Sequence, residues 1–176
     1  PKEEIRILDI GTGPGFFPVI LAEAGYHVDA VDYTEGMLEK AKENAGNLCR
    51  NIRFLRMDAQ KLNFEDNTFD VVISRNLTWN LEHPDVAYRE WVRVLKVGGR
   101  LLNFDANWYG YLYEEEQRKA YENDRKNVEN NSLDDHYLCT DIERMERIAL
   151  QVPLSKISRP QWDVKTLREA GLLGIR

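Results

Sequence analysis

Three glycines at alternate positions, Gly11, Gly13 and Gly15, follow directly on the apolar run Ile5 to Ile10. Glycine at such positions permits positive φ and leaves no Cβ to keep a ligand at a distance. A strand running into this turn and then into a helix presents backbone N–H groups and a helix N-terminus at the strand's carboxyl end. Open α/β sheets hold their ligands there. Two carboxylates belong to the same neighbourhood: Asp9, inside the strand just before the turn, and Asp32, which follows Val31 at the end of the next apolar run. A carboxylate at the second position can accept two hydrogen bonds from ribose hydroxyls, so an adenosine ligand is expected. The spacing departs from the dinucleotide pattern G-x-G-x-x-G, because the third glycine comes one residue early. Asp9 would repel a pyrophosphate, whereas it favours a ligand carrying an amino group and a sulfonium. Asp32 by itself fits either ligand.

The string Ile7-Leu8-Asp9-Ile10-Gly11-Thr12-Gly13-Pro14-Gly15-Phe16-Phe17 closely resembles the first motif of class I S-adenosylmethionine-dependent methyltransferases. Three further segments resemble that family in order: Val31 to Leu38, Met57 to Phe64, and Phe69 to Asn76. Arg93 to Leu101, with Gly98-Gly99, completes the set. The likeness covers about residues 5 to 105 and is nearest in texture to the small-molecule branch, including the quinone-biosynthesis type. It implies S-adenosylmethionine as cofactor, S-adenosylhomocysteine as product, and a small-molecule methyl acceptor. It also implies cofactor-binding roles by position. Asp9, Gly11 and Gly13 would surround the methionine part and Asp32 the ribose, with Thr12, Gly15, Phe16 and Tyr33 as further cofactor-binding residues. Met37 would pack on adenine, unless it is a plain core residue. Asp58 with Ala59 would read the adenine edge, Gln60 beside them is a further cofactor-binding residue, and Arg75, just beyond the fourth strand, would meet the methionine amino group through its carbonyl.

Methyl transfer from a sulfonium is an in-line displacement with a good leaving group. The protein has chiefly to hold the nucleophile close and exclude water. No catalytic side chain is assigned, since a base matters only if the nucleophile must lose a proton. His136, between Asp135 and Tyr137, is kept as a candidate base; His83 beside Pro84 and His27 on a strand read as structural or exposed. Acceptor-facing positions are expected after the fourth strand, at Asn76, Thr78, Trp79 and Asn80, and after the fifth, at Trp108, Tyr109 and Tyr111. Aromatic side chains there could wall a pocket or attract the sulfonium, or simply form the apolar seam of a packed lid.

These residues need a scaffold of alternating strands and helices. Short apolar runs at Ile5 to Ile10, Tyr26 to Asp32, Asn51 to Met57, Phe69 to Ser74 and Arg100 to Asp105 predict five strands. Amphipathic stretches at Phe16 to Ala24, Glu35 to Ala45 and Asp85 to Lys96 predict the intervening helices, the last opened by Pro84 and stopped at Gly98-Gly99. The expected fold is α/β: a Rossmann-like, doubly wound parallel sheet of strand order 3-2-1-4-5. Residues 1–105 would be its S-adenosylmethionine-binding core and 106–150 a helical lid. Residues 151–176 would form a return connection and a final helix, Val164 to Ala170. Helices are expected at Glu114 to Val128 and Ile142 to Leu150, with Asn130-Asn131-Ser132 as the turn between them and Asp141 as a cap. Pro153 and Pro160 would bracket an extended connection. The family's N-terminal helix and C-terminal strand hairpin are missing from the 176 residues, so a trimmed form of a longer protein is expected.

Composition narrows the partners. A net charge of -6 with interspersed cations gives no basic field for a phosphate backbone, so nucleic acid is not expected. No apolar run approaches the roughly 20 residues of a membrane span. Cys49 and Cys139 lie far apart and outside any C-x-x-C pattern, which suggests neither a disulfide framework nor a metal site and fits a cytoplasmic protein. The 106–150 segment could alternatively be a rigid insertion or serve a homodimer contact. Two other functions stay open: a nicotinamide-dependent oxidoreductase, which shares the sheet and Asp32, and an S-adenosylmethionine-binding module without catalysis.

Overall fold

The computed structural model describes residues 1–131 and 140–175. Ser132, His136 and Cys139, named above as turn, candidate base and thiol, lie outside the described residues. Five strands form one sheet: β1 (Arg6–Ile10), β2 (His27–Asp32), β3 (Ile52–Arg56), β4 (Phe69–Arg75) and β5 (Leu95–Phe104). Every pair is parallel, and the order is β3-β2-β1-β4-β5. The crossovers are α1 (Phe16–Glu23), α2 (Glu35–Ala45) and α3 (Pro84–Val94). Three helices follow β5: α4 (Glu115–Asn130), α5 (Ile142–Ala149) and α6 (Gln161–Glu169).

Alternation along the strands builds a layer on each face of the sheet. Leu8 and Ile10 of β1 join Val72, Tyr88, Trp91 and Leu167 in a core beneath α3 and α6. Ile7 points the other way, with Val28 and Ile73, toward Phe17 and Leu21 of α1. Asp9 shares the parity of Ile7, so the sheet itself buries this carboxylate on the α1 face. Trp91 and Tyr88 are fully buried and anchor α3, which begins with Pro84 at a position where the missing N–H costs nothing.

The fourth crossover differs from expectation. The helix ends at Val94 rather than Lys96, and the fifth strand starts at Leu95 rather than Arg100. Leu95 pairs with Phe69, the register then shifts, and Arg100 pairs with Val71. The cause is tertiary: the Asn67 and Thr68 N–H groups, from the loop before β4, bond the Arg93 and Val94 carbonyls at 2.9 and 2.8 Å, which closes the helix early. Val97 and Gly98 bulge into solvent, Gly98 at φ 81°. Arg75 is also the last residue of β4, paired with Phe104, rather than a residue beyond the strand. The stretch after Pro153 is a short 3-10 turn (Pro153–Lys156), not an extended connection, and the last helix begins at Gln161, three residues before Val164. Asp141 does cap α5, its carboxylate accepting from the Arg144 N–H at 2.9 Å. Among the described residues, no helix is long and apolar enough to cross a membrane.

Candidate active site

The three glycines of the turn meet different demands. Gly11 and Thr12 donate their N–H groups to the Val31 carbonyl at 2.9 and 3.0 Å, which ties the turn to β2. A Cβ at Gly11 would lie 2.7 Å from Leu77 Cδ2, and one at Gly15 would lie 3.1 Å from Ala41 Cβ. Gly11 therefore admits a side chain from the loop after β4, and Gly15 lets α1 approach α2. Gly13, at φ 53°, has nothing within 4 Å of its Cβ position and faces open space. Its N–H donates to Asp32 Oδ2 at 2.9 Å, while Oδ1 of the same carboxylate accepts from the Thr34 N–H at 2.9 Å. Asp32 thus holds the turn as well as the end of β2, and its remaining lone pairs stay available to hydroxyl donors.

Behind the turn, Asp9 is 2% exposed. Burial pushes its carboxyl up to about 7; the Thr12 side chain acts in the opposite sense and the nearby Asp32 charge adds to the rise. At the same end of the sheet the buried Ser74 Oγ has no hydrogen-bond partner among the described residues. A buried acid and an unpaired hydroxyl beside an open glycine suit a ligand that brings donors and a positive charge.

Beyond β3, Asp58 Oδ1 accepts from the Gln60 N–H at 2.8 Å and from Gln60 Nε2 at 3.2 Å. Gln60 Oε1 accepts from the His83 N–H at 2.6 Å, so its side chain braces the start of α3. Ala59 is buried, and its carbonyl accepts from the Trp91 indole N–H at 2.9 Å. Tyr33 is 67% exposed and Met37 46%, which excludes Met37 from the core; Leu38 takes that place. The ring of Phe16 lies under the Arg75 guanidinium at 4.5 Å.

On the other side of the cleft, Asn76 adopts φ 52°, a left-handed conformation that asparagine tolerates, and donates to the Phe104 carbonyl at 2.9 Å. Its own carbonyl accepts from the Trp79 indole N–H at 3.0 Å. Trp79 meets Tyr109 edge to face at 5.4 Å; Asn80 lies beside it on the same 3-10 turn, and Trp108 is 50% exposed. Thr78 and Tyr111 are packed in the interior instead of facing a cleft. Thr78 is fully buried and accepts from Asn103 Nδ2, and Tyr111 stacks on Tyr121 at 4.1 Å. His83 is exposed, with Nε2 3.8 Å from Glu82, in keeping with a structural position.

Sequence reasoning missed the polar network beneath Trp79. Asp105 Oδ2 accepts from the Trp79 N–H at 3.0 Å and faces Arg159 Nη1 at 3.1 Å. Arg159 grips Asp163 through Nε at 2.8 Å and Nη2 at 2.7 Å, and the Tyr88 hydroxyl donates to the same carboxylate. Asn103 Nδ2 then joins the Tyr88 hydroxyl at 2.9 Å. Burial and the Asp163 charge raise the Tyr88 phenol well above its ordinary range. The only trace in the sequence is the i, i+4 pair Arg159 and Asp163.

A parallel sheet with this strand order, a glycine turn under an acid at the end of β2, and a second acid in β1 together define the Rossmann-like methyltransferase class. The chain belongs to the Methyltransferase domain family, whose profile matches residues 8–103. It is 39% identical over 97 residues to a demethylmenaquinone methyltransferase of Clavibacter sepedonicus, covering 55% of this chain and 39% of that protein. Among solved structures it is similar to an S-adenosylmethionine-dependent methyltransferase from Mesorhizobium loti, with TM-score 0.55 and 26% identity over 63% of this chain and 52% of that one. It is also similar to the cyclase SpnF, with TM-score 0.55 and 28% identity over 57% of this chain and 39% of that one. The chain thus spans about two fifths to a half of the length of these relatives.

Proposed function

We propose that the protein transfers a methyl group from S-adenosylmethionine to a small-molecule acceptor. The observation that carries this reading is the convergence of open Gly13, the Asp32 carboxylate and buried Asp9 at the carboxyl ends of β1 and β2. The donor set fits the cofactor. Asp32 would receive the ribose hydroxyls, Tyr33 and Met37 supply exposed surface for adenine, and Asp58 with Ala59 offers an edge of acceptor and donor groups. Asp9 would balance the amino group. When bound, the cofactor supplies an electrophilic methyl on a sulfonium.

The chain's own part is placement. Leu77 over Gly11 and the Asn76–Trp79 hydrogen bond close the cleft on the side of β4, so that an acceptor entering beside Trp79 meets the turn with little room for water. We assign no general base. Residues 106–150 serve in this reading as a lid over the acceptor, next to a core of residues 1–105 and a return segment 151–176, and a homodimer contact is the competing role for that lid. The net charge of -6 supports an acceptor other than nucleic acid, and the two widely spaced cysteines suit a cytoplasmic setting.

Calorimetric titration with S-adenosylmethionine, S-adenosylhomocysteine and NAD tests the reading. Binding of the first two and not the third is expected; preference for NAD would overturn it. The likeness to the cyclase SpnF favours a second reading, in which this fold carries a chemistry other than methyl transfer. Formation of S-adenosylhomocysteine in the presence of acceptor separates the two.

A further inference from the structure

A cavity of about 410 Å³ lies outside the glycine turn, between the loop after β4 and α5. Its walls include Trp79, Tyr109, Arg144, Met145, Ile148 and Val152. The volume falls in the range of small-molecule sites, and the lining has their usual character, apolar and aromatic with a few polar groups. One wall is rigid. Trp79 is held at its backbone N–H by Asp105 and at its indole N–H by the Asn76 carbonyl, each at 3.0 Å, and its ring leans on Tyr109. The other wall is the apolar face of α5, where Ile148 stays 56% exposed although it is flanked by Met145 and Val152.

Charge decides the kind of occupant. Among the described residues, Arg144 is the only cation lining the cavity, and its guanidinium has no ion-pair or hydrogen-bond partner. Its neighbour on the helix, Arg147, faces Glu143 at 3.9 Å. Asp141 also lines the cavity, but its carboxylate is engaged at the helix N-terminus, accepting from the Arg144 N–H at 2.9 Å. A guanidinium at the mouth of a ring-walled pocket is the arrangement that recognises a planar carboxylate or sulfonate on an apolar body.

We propose that this cavity binds small aromatic acids, the ring lying between Trp79, Tyr109 and Ile148 and the anionic group on Arg144. On the methyltransferase reading, on which this half rests, such a compound is the methyl acceptor, because Trp79 links the cavity through Asn76 to the end of β4. The pocket's binding preference stands independently of that reading.

Two fluorescent probes separate the terms: anilinonaphthalene sulfonate, an aromatic anion, and phenylnaphthylamine, its neutral counterpart. Both are titrated into the wild-type chain, Arg144→Gln and Ile148→Glu, with S-adenosylhomocysteine binding measured in parallel. Both substitutions fall on exposed positions, and thermal melts verify that the variants fold. Saturable binding of both probes is expected. Arg144→Gln should weaken the sulfonate about tenfold, the worth of one charged hydrogen bond, and leave the neutral probe unchanged. Ile148→Glu should weaken both. S-adenosylhomocysteine affinity should be the same in all three proteins. Equal response of the two probes to Arg144→Gln, or no response of either to Ile148→Glu, overturns the site. Probe binding that follows this pattern in a chain that fails to bind S-adenosylhomocysteine would uphold the pocket and overturn the acceptor assignment.

Discussion

The carboxylate of Asp32 is hydrogen-bonded to the backbone N–H of Gly13 at 2.9 Å, joining the end of β2 to the one glycine of the turn whose Cβ position is open. The same group is therefore both the ribose acceptor of the proposed site and the brace of its loop. Asp32→Ala should lower S-adenosylhomocysteine affinity by about 3 kcal/mol, the upper range for charged hydrogen bonds, because both roles are lost together. Asp32→Asn keeps the shape and one acceptor oxygen, and should recover part of the loss. Calorimetry gives the affinities, and hydrogen exchange at Gly13 reports the loop. An Ala variant of unchanged affinity would exclude the assignment.

The glycines make opposite predictions. Gly13→Val places a side chain in open space, so the fold should survive with about 1–2 kcal/mol of backbone strain while ligand binding is abolished. Gly15→Val drives a side chain against Ala41 at φ 88° and should destabilise the α1–α2 contact itself. Melting temperatures and S-adenosylhomocysteine titrations on the two variants distinguish blocked from unfolded.

Asp9 predicts a pH dependence. Its folded value of about 7 lies above the ordinary 3.8, so between these values the folded chain holds a proton that the unfolded chain has released. Stability from this group accordingly falls as pH rises through that window, and Asp9→Asn should flatten the decline. A bound ammonium pulls the carboxyl down again and expels the proton. S-adenosylhomocysteine affinity should then rise about tenfold from pH 6 to 8, with proton release visible as a buffer-dependent heat, and Asp9→Asn should bind weakly without that slope.

Arg159 stands between two buried acids, its side chain 7% exposed against 2% for Asp105 and 11% for Asp163. Removing it leaves both carboxylates uncompensated, so Arg159→Met should cost about 3–5 kcal/mol in urea unfolding. The Trp79 indole resonance should shift as its Asp105 anchor loosens. The double variant Arg159→Met with Asp163→Leu should regain part of the stability. An unmoved indole signal would separate the network from the acceptor loop.

Local pattern made much of this molecule readable. Apolar runs at Leu8, Val28 and Val72 announce strands buried on both faces, and the crossover helices between them leave few sheet orders. The Gly11 to Gly15 spacing and Asp32 carry the cofactor side in one short stretch of chain. The acceptor side is different. Tyr88, Asp105 and the Arg159–Asp163 pair come from three separate segments and touch only in the folded state. The early start of β5 was hidden for a related reason. Lys96 and Val97 continue an acceptable helical pattern, and the Asn67 and Thr68 bonds that end the helix come from another part of the chain.

The side chain of Leu77 occupies the space a Cβ at position 11 would need, only 2.7 Å away. Positions 11 and 77 therefore cannot drift independently under selection. A larger residue at 77 presses on the cofactor turn, and any residue other than glycine at 11 demands a smaller partner at 77 as well as tolerance of φ 69°. Leu77 also sits one residue from Asn76 and two from Trp79, within the loop that would change if the protein were evolved toward a new acceptor. On the proposed methyltransferase reading, retargeting the protein by mutating that loop will drag cofactor affinity with it, and libraries that vary 77 should carry the compensating change within the same clone.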